Sequence, residues 1–554
     1  MKKIYLLPVI IVLFLSITCK GINSESDFSN PQKLIANNSE EPVINEDLKT
    51  TIDKIQSGEI TKLNGELLFG EEGLPEFYKE IGYVTIWQDP KKANEAISQL
   101  TLAWKEGLDP LHYHLETILD LQNAIKNNPN DKSTQVIFDI LLSDGLMEYG
   151  YNLNNGRLDP KSLDPSWNFP GRYFADDVME QYIAAINGHQ LKTFMAELPP
   201  QTHLYQLVKE ALITYTGFVE NGGWESLSFP STIHPLDNTS LAPQLRKRLI
   251  AEGYQIENNS SQIYDEQLVE QVKNFQKNNG LGDDGIIGKN TIKAFNETAE
   301  SKVNKLKVSL ERSRWVDIGE VDEFIVVNIA YYHLYYIDRM EAAYSSKVMV
   351  GKVNKQTPVF RDDLTTVVLN PTWTLPFSIS STETLGKLKK DPQYLQKHNM
   401  VLLNSKGQIV SDAGIDWNKY KTGHFPYTVR QEPGPHNALG QVKFLFPNKY
   451  AVYLHDTPSK SLFAKEARAF SHGCIRLQNP LNFALFLLER DQPGEWTMDR
   501  IQKIIKTEKT DNINLKTSIP IYLMYWTAAI DENGNVYFTN DIYDRDPAII
   551  KALN

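Results

Sequence analysis

The chain contains two cysteines in 554 residues, and this scarcity limits how it can fold. Cys19 lies at the end of an N-terminal apolar run, and Cys474 lies far along the chain between a glycine and an isoleucine. A disulfide framework is therefore excluded, so each domain must be held together by its own hydrophobic core. A chain of this length has room for several such domains.

The composition argues against one class of partner. Hydrophobic residues make up 41% and charged residues 23%, which are ordinary values for soluble globular domains. The formal net charge is −12, whereas a nucleic-acid surface needs clustered Lys and Arg to bind phosphates. No nucleic acid is therefore expected, and any anionic ligand must be held by local positive charges.

The N-terminus has the pattern of a targeting segment. Two lysines precede an apolar run at 4–17, which is too short to span a bilayer and is typical of a signal peptide core. The run leads to Thr18 and Cys19, and a lipoprotein signal also ends in a cysteine that takes a lipid, although Gly, Ala or Ser usually precedes it. We expect a signal peptide at 1–19 with lipid attachment at Cys19. A plain signal peptide and an uncleaved anchor are the alternatives.

Two segments of different character follow the targeting segment. Residues 20–54 begin with an Asn-, Ser- and Glu-rich stretch of few apolar residues, which is typical of a flexible tether. Residues 55–238 are predicted to be mainly helical, with apolar residues at helical spacing over 93–104 and 136–153. Because no catalytic residue types cluster there, we interpret this region as a helical scaffold domain.

The pattern at 239–298 indicates a small helical module. Leu268, Val272 and Phe275 share one face of a predicted helix, and a Gly-rich loop at 280–288 precedes another helix. The loop lacks the Gly-Lys-Ser/Thr ending of a nucleotide site and the alternating acidic ligands of a calcium loop. The pattern resembles the three-helix peptidoglycan-binding module. A helical bundle that has lost binding is the alternative.

The pattern then changes from helix to strand. A connecting helix is expected within 299–322, and runs rich in β-branched and aromatic residues follow at 324–329, 332–337, 348–352 and 367–371. The stretch at about 377–427 is polar and irregular, so we interpret it as an insertion that covers a site. The β-rich domain is placed at 323–510, which leaves 511–554 as a C-terminal extension.

A predicted hairpin over 440–455 presents a histidine. With a period of two, Val452 and Leu454 point to one face, while Tyr453 and His455 point to the other. We therefore expect His455 to emerge beside Tyr453 at a strand end, away from the core.

Cys474 is a candidate nucleophile on a constrained segment. Gly473 precedes it, and a helix is predicted from Asn479-Pro480 with Leu481, Ala484, Leu485 and Leu488 as its apolar face. His455, nineteen positions upstream, is the candidate base that generates the reactive thiolate. A buried structural cysteine is the alternative.

Neighbouring residues are candidates for supporting roles. The amides of Gly473 and Cys474 could hold a developing oxyanion, and His472 could assist them or fix the loop. Arg476 adds positive potential and could hold a substrate carboxylate, or it could be a structural ion-pair partner. A zinc site built from His455, His472 and Cys474 lacks a fourth ligand, so no metal is expected.

The residues around these candidates resemble a known family. The segments 433–440, 443–448, 453–458 and 470–476 together resemble the signature of the L,D-transpeptidases with a YkuD-type catalytic domain. The scaffold, the module and the run at 525–528 are similar to the large multidomain YcbB-like subgroup of Gram-negative bacteria. The lipoprotein-like N-terminus departs from that pattern and bears on location rather than chemistry.

The resemblance implies a fold and an activity. The fold is a multidomain α+β chain whose β-sandwich-like catalytic domain carries a capping insertion. Cys474 would form a thioester at the diaminopimelate carbonyl of a peptidoglycan tetrapeptide stem, releasing D-Ala, and a second diaminopimelate amine would accept the acyl group. His455 would be base and then acid, Ser471, His472 and Gly473 would support the oxyanion site, and Tyr453 and Arg476 would bind substrate. No cofactor is implied.

The resemblance also implies partners and a location. The partners are peptidoglycan stem peptides and glycan, other wall synthases, and a membrane through lipid on Cys19, in the periplasm. Roles in cell wall biogenesis and cell shape, and acylation by carbapenems, also follow from it. An L,D-carboxypeptidase or other hydrolase on the same fold is one alternative, and a non-catalytic wall-binding scaffold is another.

Overall fold

A computed structural model describes residues 45–164, 167–319, 321–339, 341–531 and 534–554. The expected signal peptide, Cys19 and most of the expected tether lie outside these residues. The predicted boundary of the tether at residue 54 is wrong, because the chain is already helical over Glu46–Gln56. Leu48, Ile52 and Ile55 recur at helical spacing and are buried in the core of the scaffold domain, so this segment belongs to that domain.

The scaffold domain is an assembly of helices around one apolar core. A short hairpin of β1 (Lys62–Leu63) and β2 (Glu66–Leu67) lies at its edge. Its further helices are Gly73–Glu80, Pro90–Thr101, Leu115–Asn127, Lys132–Asn155, Pro160–Leu163, Val178–Asn187, Leu191–Glu197 and His203–Glu220. The expected helices over 93–104 and 136–153 are confirmed, and the second ends at Gly156, whose φ of 81° is one that glycine adopts readily.

The scaffold also holds a polar cluster that the sequence reading missed. The His114 ring lies between two carboxylates, with Nδ1 3.2 Å from Glu66 Oε2 and Nε2 2.9 Å from Asp144 Oδ2. Asp144 also accepts the backbone N–H groups of Phe69 and Gly70. The expectation that residue types common in catalysis do not cluster in this domain is therefore wrong, because the fold joins residues up to 78 positions apart in the sequence. These bonds fasten the β1–β2 hairpin to the long helix, which is a structural role.

Three helices form the module that the sequence predicted, namely Ala242–Ala251, Glu266–Asn278 and Lys289–Phe295. Asp265 caps the second helix by accepting the Leu268 N–H. Leu268, Val272 and Phe275 are fully buried in the module core. The Gly-rich loop contacts the next domain, since Gly282 N–H and Asn290 Nδ2 both donate to the Glu466 carboxylate.

A long helix, Ala299–Arg314, connects the module to the β-rich domain. Its Lys302 is fully buried and forms an ion pair with Glu252, the residue that ends the first module helix. Arg248 pairs with the other oxygen of Glu252 at 2.8 Å. The module is therefore joined to the connecting helix by buried charges rather than by a flexible linker.

The β-rich domain is built on one large sheet. Its order is β13-β5-β14-β12-β11-β6-β15-β3-β4 within the described residues, and β4 also pairs with β5. The sheet thus closes on itself, and its two halves enclose a single apolar core, which is the sandwich-like arrangement expected. The strands are β3 (Glu323–Asn328), β4 (His333–Asp338), β5 (Glu341–Gly351), β6 (Phe360–Leu369), β7 (Trp373–Thr374), β8 (Met400–Leu403), β9 (Ile409–Val410), β10 (Thr428–Gln431), β11 (Val442–Leu445), β12 (Leu454–His455), β13 (Ala469–Ser471), β14 (Ile475–Leu477), β15 (Asp511–Met524), β16 (Ala528–Ile530) and β17 (Val536–Phe538).

The expected C-terminal extension at 511–554 is not an appendage. It begins with β15, which pairs with β6 on one side and with β3 on the other, in the middle of the sheet. Ile519, Ile521 and Leu523 are fully buried there, so the domain cannot end near residue 510. The chain ends in a helix, Asp546–Leu553, that packs on the connecting helix.

The capping insertion is a small unit with its own core. A sheet of order β7-β10-β8-β9 bounds it, so it spans about 373–431 rather than 377–427. Its helical turns are Phe377–Ile379, Ser380–Thr384, Leu385–Lys390 and Tyr394–Lys397. The prediction that this segment is irregular is wrong, because its scattered apolar residues form one buried cluster. The cluster consists of Leu375, Leu385, Leu388, Leu395, Leu402, Trp417, Phe425 and Val429.

Two helices follow the cysteine segment in the β-rich domain, Pro480–Asp491 and Met498–Ile505. The first begins where the sequence predicted, although Asn479 is in the left-handed region and makes no side-chain cap. Its buried face is Phe483, Ala484, Leu487 and Leu488, so Leu481 and Leu485 are only partly buried. This helix anchors β14 against the core and so fixes the strand that follows Cys474.

Candidate active site

Three neighbouring strands place charged side chains in one row. In the antiparallel pairing of β11 with β12, Lys443 lies opposite His455. In the parallel pairing of β12 with β14, His455 lies opposite Arg476. Since side chains alternate along a strand, Val442, Phe444, Val452 and Leu454 enter the core while this row lies on the other face.

His455 lies at the end of β12 beside Tyr453, with ring centroids 5.6 Å apart. The alternation of faces is as expected, but His455 does not emerge into solvent, since it is only 4% exposed. Its Nδ1 bonds to the Asp456 carbonyl oxygen, which assigns the proton to Nδ1 and leaves Nε2 as an acceptor. Burial, with the nearby charges of Arg476 and Lys443, lowers the pKa of His455 to about 3, so the ring is neutral.

Cys474 immediately precedes β14 and is half-buried. Its Sγ donates to the Ala451 carbonyl oxygen at 3.6 Å. Burial raises the pKa of the Cys474 thiol, while hydrogen bonding from Tyr453 and the charges of Lys443 and Arg476 oppose that rise. The resting pair is therefore a thiol and a neutral imidazole rather than a thiolate and an imidazolium.

Tyr453 is a polar neighbour of the thiol. The Ile475 N–H donates to the Tyr453 carbonyl at 3.1 Å, which aligns Tyr453 with the residue before β14. Burial raises the pKa of the Tyr453 hydroxyl, and hydrogen bonding to Cys474 raises it further. Hydrogen bonding from Trp373, the first residue of β7, acts on the same hydroxyl. The cap thus reaches the cysteine through Tyr453.

The backbone before Cys474 is held by hydrogen bonds. Ser471 Oγ donates to the Cys474 carbonyl and accepts the Gly473 N–H at 3.0 Å. Gly473 has a φ of 120°, in the region that favours glycine, and its carbonyl accepts from Thr357 Oγ1 at 2.9 Å. Because the Gly473 N–H already has an acceptor, the expected oxyanion role fits the Cys474 amide better.

The His472 side chain contacts the capping insertion. Its Nε2 lies 3.1 Å from Glu383 Oε1, on the helical turn Ser380–Thr384. Both side chains are about half exposed, at 41% and 50%. His472 therefore links the cysteine loop to the capping insertion.

The two cations of the row have no carboxylate partner among the described residues. Arg476 Nε is buried and lacks a hydrogen-bond partner in the same part of the chain. The interpretation of Arg476 as a structural ion-pair partner is therefore wrong for this structure. Lys443 lies with its Nζ 4.0 Å from the centroid of the Tyr453 ring. The site thus presents two positive charges without a carboxylate partner in the described part of the chain, close to Cys474.

Sequence reasoning missed Lys443, Thr357, Trp373 and Glu383 as parts of the site. The runs at 356–358, 370–373 and 443–444 fit the family resemblance, but the resemblance assigned Thr357, Trp373 and Lys443 no role. Lys443 had a further signal, because it alternates with Val442 and Phe444 on a strand next to that of His455. Thr357 and Glu383 come from segments 117 and 91 positions before Cys474, so only the fold brings them there.

Two kinds of feature are absent from the described residues. No group of three or more His, Cys, Asp or Glu side chains in that part of the chain is arranged to hold a metal ion. None of the helices described here has the length and apolar character needed to cross a membrane.

Comparison with known proteins gives three matching family models. The L,D-transpeptidase catalytic domain matches residues 322–496, the putative peptidoglycan binding domain matches 240–295, and the scaffold domain matches 72–212. A putative L,D-transpeptidase of Haemophilus influenzae is 34% identical over 478 residues, which are 86% of this chain and 78% of the relative.

Solved structures also match, at low identity. The L,D-transpeptidase (Yku) from Stackebrandtia nassauensis is 13% identical, covering 54% of this chain and 97% of its own, with a TM-score of 0.21. The L,D-transpeptidase from Xylanimonas cellulosilytica is 12% identical, covering 54% of this chain and 100% of its own, with a TM-score of 0.18.

The sequence comparisons confirm the recognition and the fold class expected from the sequence. The three family models fall on the helical domain, the three-helix module and the β-rich domain in the expected order. Because the H. influenzae relative is 34% identical and this chain covers 78% of it, the chain belongs to the L,D-transpeptidase family.

Proposed function

We propose that the protein is a peptidoglycan L,D-transpeptidase in which Cys474 is the nucleophile and His455 is its base. The observation that carries this assignment is the row Lys443–His455–Arg476 beside the Tyr453–Cys474 pair. A buried neutral imidazole can take a proton, and two unpaired cations can stabilise the negative charge that then develops. The family match supplies the class of reaction.

The first half-reaction forms a thioester. Cys474 Sγ attacks the carbonyl that joins diaminopimelate to the terminal D-Ala of a tetrapeptide stem, and His455 Nε2 takes the thiol proton. The carbonyl π electrons move to oxygen, and the tetrahedral intermediate then collapses as the C–N bond breaks. His455 returns its proton to the departing nitrogen, so D-Ala leaves with a neutral amino group.

The second half-reaction transfers the acyl group. The amine of a second diaminopimelate attacks the thioester carbonyl and gives its proton to His455. The C–S bond breaks, and the sulfur regains the proton, so the enzyme is restored and the two stems are cross-linked. Water in place of the amine would give an L,D-carboxypeptidase.

The supporting residues receive roles from their contacts. Ser471 fixes the cysteine loop, because its hydroxyl bonds to backbone groups on both sides of Gly473. The Cys474 N–H is the amide that we assign to the oxyanion. His472 holds the cap through Glu383. The Tyr453 hydroxyl favours the ionised sulfur, and Arg476 is placed to bind a substrate carboxylate.

Mass spectrometry with disaccharide-tetrapeptide tests the reaction. A cross-linked dimer that lacks one D-Ala supports transpeptidation, whereas monomer that only loses D-Ala supports the carboxypeptidase. Cys474→Ala should form neither product while still binding sacculi, since the module lies apart from the thiol. Full turnover by Cys474→Ala would overturn the nucleophile assignment.

Other features of the proposal concern the cell. The peptidoglycan-binding module would hold the enzyme on glycan and stem peptides in the periplasm, where it could act beside other wall synthases and affect cell shape. A carbapenem should acylate the wild-type protein at Cys474 and so increase its intact mass. The mass of Cys474→Ala should not change.

The N-terminal proposal is separate from the chemistry. We assign 1–19 as a lipoprotein-type signal peptide and Cys19 as the lipid attachment site, with the segment from 20 to about 44 as a tether. Wild-type protein should then fractionate with membranes, and Cys19→Ser should move to the soluble fraction. Equal membrane association of the two would exclude lipid on Cys19 as the anchor.

A further inference from the structure

Packing of the β-rich domain does not require a lysine at position 443. It lies on β11 between the buried residues Val442 and Phe444, with its side chain on the opposite face of the sheet. Its Nζ is 4.0 Å from the Tyr453 ring centroid, and it lies opposite His455 in the strand pairing. Its ammonium group therefore lies beside Tyr453, in the row formed by Lys443, His455 and Arg476.

This ammonium lacks the partner that a partly buried charge usually has. No Asp or Glu among the described residues forms an ion pair with Lys443. The ring of Tyr453 offers cation–π attraction, which compensates part of the lost hydration. Burial lowers the pKa of Lys443, and the Cys474 thiolate is the charge that raises it again. A lysine left without a countercharge in the resting state gains one when the thiol ionises.

We propose that Lys443 is a positioning residue whose ammonium stabilises the Cys474 thiolate across the Tyr453 ring as the thiol proton leaves. This inference rests on the proposed function and deepens it. Lys443 would not touch the substrate; it would act through the sulfur. The geometry assigns this role because strand pairing places Lys443 beside His455, and its ammonium lies 4.0 Å from the ring of Tyr453, whose carbonyl accepts the N–H of the residue after Cys474.

Other groups also face the sulfur and must be held constant in a test. These are the Tyr453 hydroxyl, just before β12, and the Arg476 guanidinium on β14. The neutral His455 ring lies between Lys443 and Arg476 in the strand pairing. His472, in the cysteine loop, contacts the cap residue Glu383 instead. Since a side-chain substitution at 443 leaves the backbone groups of the β11–β12 pairing in place, a neutral side chain of similar length isolates the ammonium.

The test is the pH dependence of iodoacetamide alkylation, followed by intact mass. Full-length protein carrying Cys19→Ser is the background, because Cys474 is then the sole cysteine. Lys443→Met removes the charge and keeps the stem, and Lys443→Arg restores a charge. Lys449→Met is the matched control, since Lys449 lies 5.2 Å from the Tyr450 ring centroid in the adjacent turn but is exposed.

In Lys443→Met we expect the alkylation midpoint to rise by about one pH unit, a tenfold change in thiolate fraction. A more basic thiolate is also more nucleophilic, so the rate below the midpoint should fall only about threefold. Lys443→Arg should restore most of the wild-type midpoint, and Lys449→Met should leave it unchanged.

An unchanged midpoint in Lys443→Met would overturn the inference. If KM for the tetrapeptide also rose in that variant, Lys443 would instead bind a substrate carboxylate. Alkylation needs no substrate, so this failure is distinct from failure of the proposed function. Full turnover by Cys474→Ala would overturn that function and this inference with it.

Discussion

His455 lies opposite Arg476, not opposite Cys474, in the parallel pairing of β12 with β14. The cysteine precedes β14 and is aligned with Tyr453, whose ring is 5.6 Å from that of His455. His455 and Cys474 are therefore both neighbours of Tyr453, the first by ring contact and the second through the alignment of Tyr453 with β14. Arg476 and Lys443 flank the imidazole on both sides, which favours its neutral form.

The first prediction concerns pH. Because the His455 pKa is lowered to about 3 and the Cys474 pKa is raised, the thiol and neutral imidazole persist across the neutral range. The lowered histidine pKa means that the competent state is lost only when pH falls towards 3. Single-turnover acylation by tetrapeptide should thus stay within about twofold between pH 5 and pH 8. An acidic limb with a midpoint near 6.5 would contradict this prediction.

The corresponding variant is His455→Gln. It should lower the acylation rate by about 10²- to 10⁴-fold, the usual contribution of a positioned base. Iodoacetamide alkylation well above the thiol pKa should be nearly unchanged, because hydroxide then supplies the thiolate. An equal loss of both rates would instead indicate a distorted site.

A second prediction concerns Gly440, which lies beside the residue that orients the base. Gly440 has a φ of 62°, and a methyl group on its Cα would lie 2.3 Å from the Asp456 carboxylate. That carboxylate accepts the Gln441 N–H at 2.9 Å, and the Asp456 carbonyl bonds to His455 Nδ1. Gly440→Ala should therefore shift Asp456 and rotate the imidazole, lowering the acylation rate at least about tenfold.

Gly423→Ala is the matched control for backbone strain. Gly423 has a φ of 84° but open space around the added methyl group. Both variants should lose about 1 kcal/mol of stability from the left-handed backbone, and only Gly440→Ala should lose activity. Equal activity of the two would show that Asp456 does not orient His455.

The sequence predicted most of the local structure because its patterns are local. Leu268, Val272 and Phe275 face one core at helical spacing, and Val452 and Leu454 alternate with Tyr453 and His455. The irregular reading of the cap was wrong because its apolar residues are spaced without a period and meet only after folding. The C-terminal boundary was wrong because strand order in a sheet is a long-range property, which no local pattern of β15 reports.

The site shows the same division. His455 and Cys474 carry chemistry in their residue types and sit in a recognisable signature, so they were found. The exposure of His455 was not predictable, since alternation tells which face a side chain takes but not whether another segment covers it. Glu383 carries no signal of its own, and Thr357 lies in a run that fits the family but indicates no contact. Their bonds to the cysteine loop arise from tertiary packing.

A third prediction concerns the link between the cap and the cysteine loop. Glu383→Ala removes the carboxylate that His472 contacts at 3.1 Å. Since the pair is half exposed, stability should change by less than about 0.5 kcal/mol. The KM for tetrapeptide should rise about threefold, because the cap is held less firmly over the site, while alkylation of Cys474 should not change.

The control for this variant is another ion pair within the cap. Lys397 Nζ lies 2.8 Å from Asp391 Oδ2, and both side chains are also exposed. Asp391→Asn removes a charge from the cap without touching the cysteine loop, so KM should remain at the wild-type value. A similar rise in both variants would mean that cap charge, rather than the contact with His472, determines KM.

The last prediction concerns the buried charges that join the module to the connecting helix. Glu252 accepts from Lys302, Arg248 and the Tyr215 hydroxyl, and all of these groups are largely buried. Glu252→Gln leaves Lys302 charged and without its counter-ion, so the variant should lose roughly 3 kcal/mol. The urea midpoint of the wild type and the variant at pH 7 gives this difference. The same substitution at Glu59, whose pair with Lys54 is exposed at 3.4 Å, should cost less than about 0.5 kcal/mol.

The pH dependence of that difference follows from the sign of the shift. Burial raises the pKa of Glu252, but Lys302 and Arg248 outweigh it, and the net pKa is lowered from 4.5. A carboxyl with a lowered pKa stabilises the fold above its unfolded pKa and loses that contribution as pH falls through the folded value. The gap between wild type and Glu252→Gln should therefore be full at pH 7 and narrow below pH 4.5. A gap that stayed constant down to pH 3 would show that shape, rather than charge, accounts for the loss.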